Sequence, residues 1–185
     1  VSLLISSEDL EGVEKVLSRV TDLRSELRQL LQARLVTERQ GENAALEFMK
    51  EAANEIPGSR LVLSNLTRNL VQNAYRSRSG KQENDESKAQ DYASEALEYG
   101  NELVEVFPSP ESYHLLAQAH WLNGNIEPAV DLIEKLNDKR YFPLRVRRLL
   151  AQCYLDQKNV LAAARTLSRA TEEEKYKENW LLRND

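Results

Sequence analysis

Two histidines, one cysteine and a few carboxylate clusters are the side chains of this chain that could hold a metal or move a proton. His114 and His120 lie six residues apart. On a helix that spacing puts them on different sides, so they do not make the i, i+4 pair that metal sites use. His120 is expected in the core with a satisfied ring nitrogen. Cys153, beside Tyr154 on an apolar face, reads as a small core residue. Glu172-Glu173-Glu174 and Asp85-Glu86 read as solvated faces. Asn65-Leu66-Thr67 matches a glycosylation sequon but falls within a helical period. There is no Gly-rich phosphate loop, no CxxC and no nucleophile elbow. The reading is therefore non-catalytic, with no metal and no cofactor.

What remains is binding chemistry, and it depends on the elements that present it. The chain has 185 residues, of which 41% are hydrophobic and 30% charged. Six Gly and five Pro, against abundant Leu, Ala, Glu and Arg, favour helix throughout. The formal net charge of -5 gives no general attraction to nucleic acid or to anionic membrane. Nor is there the basic-aromatic alternation that nucleic-acid binding uses, so no nucleic-acid partner is expected. No run of 18 apolar residues exists, so no membrane span is expected. A single cysteine does not report the compartment. The N-terminal Val-Ser-Leu-Leu-Ile-Ser-Ser lacks the pattern of a signal peptide and an initiator Met, and the chain reads as a piece of a longer protein.

Helical periods recur along the chain. Leu23, Leu27, Leu30, Leu31 and Leu35 share one face over residues 22–40. Leu63, Leu66, Leu70, Val71, Ala74 and Tyr75 form the buried side of a helix over 59–76. Residues 77–88 contain no leucine, valine or aromatic residue and include Gly80, so they read as an inserted polar loop. A further helix follows over 89–107 and ends at Pro108-Ser109-Pro110.

The clearest signal is internal. Leu116-Ala117-Gln118-Ala119-His120 and Leu150-Ala151-Gln152-Cys153-Tyr154 match at Leu, Ala and Gln with an offset of 34 residues. Ala129 and Ala163 keep that offset, and so do Ile133 and Leu167. Gly12 to Ala45, and Ala96 to Ala129, are each 33 residues. Asn123-Gly124-Asn125 turns one unit, and Lys158 stands at the turn where the other would have Gly. This period and these positions resemble the tetratricopeptide (TPR) repeat.

The resemblance implies an all-α fold, a right-handed α-solenoid of about four to five helix-turn-helix repeats. One array would span residues 1–185, with the first and last repeats incomplete and the last opening near Trp180. Ala117, Ala129, Ala151 and Ala163 would let paired helices approach, and Leu116, Ile133, Leu150 and Leu167 would fill the space between them. Neighbouring repeats would stack into a continuous core. The first helix of each pair would line a concave groove, as in TPR proteins that bind peptides or partner helices. The TPR pattern puts His114, Gln118 and Trp121 of one repeat in that groove, with Arg145, Arg148 and Gln152 of the next. Trp121 would anchor an apolar side chain, and the two arginines would grip carboxylates.

The function expected is a protein-protein interaction scaffold that binds a protein or peptide segment, acidic in part. Two alternatives stand beside it. One is a structural module of a bacterial envelope or polysaccharide-export machine, whose TPR arrays resemble this one in their irregular repeats. The other is a regulatory domain of a larger enzyme. Partner identity, compartment and oligomeric state are not encoded in these patterns.

Overall fold

A computed structural model describes residues 24–79, 83–138 and 144–168, together with residues 12, 14, 15 and 17. All regular structure among the described residues is helical. The helices are α1 (Ser25–Gln40), α2 (Glu42–Glu55), α3 (Arg60–Ser79), α4 (Glu83–Val106), α5 (Pro110–Leu122), α6 (Ile126–Asp138), α7 (Leu144–Asp156) and α8 (160–168). The start of the incomplete first repeat and the repeat expected near Trp180 lie mainly or wholly outside the described residues.

Helix ends follow local chemistry. Ser59 and Ser109 each cap the next helix, accepting from the backbone N–H three residues on, at 3.3 and 3.2 Å. Pro110 opens α5, where a missing N–H costs little. Asn159 caps α8 by accepting from Ala162 N at 3.2 Å. Gly41 and Gly124 turn the chain within their pairs at φ +90° and +80°. Lys158 adopts φ +61° at the turn that Gly124 occupies one repeat earlier.

The helices pack α1 on α2, α3 on α4 and α5 on α6, and each pair stacks on the next. The apolar faces therefore close only between neighbours, which makes one continuous core. Leu63, Leu66, Leu70, Ala93, Leu103, Ala117, Ala129 and Ile133 are buried within it. Ala151 and Ala163 are buried as well. Gly100 lets α4 approach α5 closely, since a Cβ there would meet Leu116 Cδ1 at 3.2 Å. The first helices α1, α3, α5 and α7 also touch one another in succession, and no comparable contact joins α2 to α4 or α4 to α6. The first helices thus form the inner side of the solenoid.

Most of the loop expected at 77–88 is helix, over residues 77–79 and 83–88. α3 runs on to Ser79 and α4 begins at Glu83, so only residues 80–82 lie between them. The inserted residues lengthen the hairpin, giving helices of 20 and 24 residues against 13 in α5 and α6. Arg78, Glu86 and Lys88 of the polar run are exposed, and these residue types tolerate helix well there. Lack of apolar residues here reports solvent exposure, not loss of helix. Two expected core positions also differ: Tyr75 and Leu167 are exposed. The counterpart of Leu167, Ile133, is buried where α6 meets α7.

Candidate functional site

The inner side is built from the inward positions of α3, α5 and α7. At its centre Glu111 of α5 accepts from Arg68 of α3 at 3.2 Å and from Arg145 of α7. One carboxylate therefore bridges two arginines on three successive first helices. All three side chains are more than a third exposed, so the bridge is worth about 0–1 kcal/mol and is screened by salt. Arg148 lies one turn beyond Arg145, is exposed, and has no partner among the described residues. Gln152 is exposed and donates to Asp156 at 3.0 Å. Gln118 is half-buried on the same inner side.

Two residues expected in the groove are instead covered. Trp121 is only 7% exposed. Its indole N–H donates to Asp156 of α7 at 2.7 Å. Tyr75 lies 5.2 Å from it, ring centre to ring centre, and the Arg78 guanidinium sits 5.0 Å over its face. Both belong to the extra turns of α3, which reach over the end of the shorter α5. Trp121 thus joins three helices and is not an open anchor. His114 is 4% exposed, because α3 and α7 flank α5 on both sides. Burial, and secondarily the Arg145 charge, push its imidazole down to about 4, so it is neutral near pH 7. Its Nδ1 has no hydrogen-bond partner among the described residues.

His120 also departs from expectation. It is half-buried, its Nδ1 lacks a partner among the described residues, and burial lowers its pKa. Cys153 is fully buried and its thiol is pushed up to about 12, which leaves it protonated and unreactive. No group of three or more His, Cys, Asp and Glu among the described residues could hold a metal ion. No described helix is long and apolar enough to cross a membrane.

A concavity of about 400 Å³ opens elsewhere, between α1, α2 and α3. Its α3 wall is a stripe of amides: Asn65, Asn69, Gln72 and Asn73. The sequence carries a signal for it in the four-residue spacing of Asn65, Asn69 and Asn73, on the helix side that the leucines leave free.

The comparisons agree with this architecture. The family model for anaphase-promoting complex, cyclosome, subunit 3 matches residues 89–171. No curated protein sequence matches the chain. Among solved structures, TTC0263, a thermophilic TPR protein of Thermus thermophilus, is similar at TM-score 0.66 and 18% identity. That match covers 94% of this chain and 86% of the other. MamA (MSR-1) is similar at TM-score 0.65 and 16% identity, covering 91% of this chain and 86% of that one. An IFIT1 monomeric mutant with Gppp-AAAA is similar at TM-score 0.68 and 17% identity, covering 89% of this chain and 37% of that one. At these identities the likeness is one of fold. With helix pairs stacked in register and a 34-residue period, the chain has the TPR fold, an α-solenoid of tetratricopeptide-type repeats.

Proposed function

We propose that the chain is a non-catalytic scaffold whose inner side captures an acidic segment of a partner protein. The observation that carries this reading is the bridge Arg68–Glu111–Arg145, with Arg148 exposed beside it. Two guanidinium groups converge on one carboxylate with a third exposed a turn away, and guanidinium groups suit planar carboxylates in a bidentate grip. The internal ion pairs are exposed and weak, so a partner carboxylate can join or replace Glu111 at small cost. Gln118 and Gln152 add amides at equivalent positions of adjacent repeats, 34 residues apart. Trp121 and His114 hold the helices that present this surface and do not touch the ligand.

The test is a titration of the chain with a labelled acidic peptide, acetyl-(Glu-Ser)₃-amide, at low and high salt. Saturable binding that weakens with salt is expected. Arg145→Ala with Arg148→Ala should abolish it while moving the melting temperature by no more than about 2 °C, as befits exposed pairs. Glu111→Gln should tighten it by removing the internal competitor. Binding unchanged in the double arginine variant refutes the reading.

A further inference from the structure

We propose that the cavity between α1, α2 and α3 is a second binding site, and that it takes the main chain of an extended, uncharged peptide segment. It goes beyond the acidic-segment reading and rests on different residues.

The cavity measures about 400 Å³, within the range of binding clefts. Its floor is apolar and belongs to the core, with Leu30 and Leu31 from α1 and Leu46 and Met49 from α2. Its charged rim is already neutralised. Arg76 pairs with Glu42 across the rim, and Arg34 pairs with Glu38 at 2.8 Å. No spare charge is left to select an ionic ligand, unlike the patch around Glu111.

The wall is what selects. The side-chain amides of Asn69, Gln72 and Asn73 have no hydrogen-bond partner among the described residues. Asn65 donates to its own Leu61 carbonyl at 2.8 Å, which leaves its oxygen free to accept. A carboxamide both donates and accepts, so it complements a backbone N–H and C=O together. Asn65, Asn69 and Asn73 recur every four residues, a rise of about 6 Å per step along the helix. An extended chain repeats its same-edge backbone groups every two residues, about 6.6 Å. Over two steps the two spacings diverge by only about 1 Å, which asparagine rotamers absorb. A partner helix lacks this match, because its backbone groups are paired within the helix. Alternate side chains of an extended segment would point down to the apolar floor. Affinity would come from main-chain bonds, and sequence preference only from those alternate positions.

The experiment uses the full chain, labelled with ¹⁵N, and the peptide acetyl-(Ser-Leu)₃-amide. The same peptide methylated on every second backbone nitrogen serves as control. Saturable shifts of the side-chain amide signals of Asn69, Gln72 and Asn73 are expected with the first peptide. The methylated peptide should bind about tenfold more weakly or worse, the loss expected for one to two net hydrogen bonds. Asn69→Ala with Asn73→Ala should cause a similar loss at an unchanged melting temperature. Absence of saturable shifts overturns the proposal, as does equal binding of both peptides, which would mean that only the apolar floor is read. The acidic peptide run in parallel separates the two readings. If it binds and fails only in the arginine variant while the Ser-Leu peptide is silent, the amide site falls and the acidic groove stands.

Discussion

Replacing Trp121 by alanine tests whether this indole belongs to the groove or to the core. A groove anchor can be removed with little effect on stability. The structure gives Trp121 a different role. It is 7% exposed, lies 5.2 Å from Tyr75, and donates to Asp156 at 2.7 Å. Truncating a buried Trp to Ala costs about 3–5 kcal/mol. The lost aromatic pair is contained largely in that figure, and the lost hydrogen bond adds about 1 kcal/mol. These losses overlap, and the expected total is about 4 kcal/mol. For a chain of this size that corresponds to a fall of about 8–16 °C in melting temperature. Thermal melts followed by far-ultraviolet circular dichroism would read it. Trp121→Phe, which keeps a ring and loses only the bond, should cost about 1–2 kcal/mol. A melting temperature for Trp121→Ala within about 2 °C of the parent would refute the packing argument and return Trp121 to the groove.

Other perturbations follow from the same geometry. Lys158→Gly should stabilise the chain by about 0.5–1 kcal/mol in urea unfolding, because φ +61° strains a residue with a Cβ and Gly gives back part of that gain in entropy; a loss of stability would refute this. Gly100→Val should destabilise by about 1–3 kcal/mol, since a Cβ already lies 3.2 Å from Leu116 Cδ1, and a more stable variant would show that the α4–α5 contact has slack. His114 makes stability depend on pH. Its folded pKa of about 4 is below the unfolded value near 6.5, so the unfolded chain takes the proton first. This contribution is therefore intact above about pH 6.5 and falls by about 3 kcal/mol as the pH drops toward 4. Urea midpoints between pH 4 and 7 should flatten in His114→Gln, and an unchanged slope would remove His114 as the cause.

The repeat was legible because its signal is local and periodic. The alanines at 117, 129, 151 and 163 share the 34-residue order, and all four are buried where helices cross. Ser109 and Pro110 announce the start of α5, and the structure uses both. The site was legible only in part. Arg145, Arg148 and Gln152 are exposed, whereas His114 and Trp121, which the TPR pattern puts in the same groove, are covered. The pattern assigns a residue to a face of its own helix, and it does not carry how far a neighbouring helix reaches across that face.

Sequence alone determined that the chain is built of paired helices and where most of them lie, because side-chain period and capping act over a few residues. Tertiary structure decided what remains open to a ligand. Most of the polar run at 77–88 became extra turns of α3 and α4 instead of a loop, and Arg78 of those turns joins Tyr75 over Trp121. It also decided that Glu111 joins Arg68 to Arg145 and that the amides of α3 face a cavity. The ring, cation and ion-pair contacts join residues 34 to 46 positions apart, and they arise only when helix lengths and stacking are fixed together.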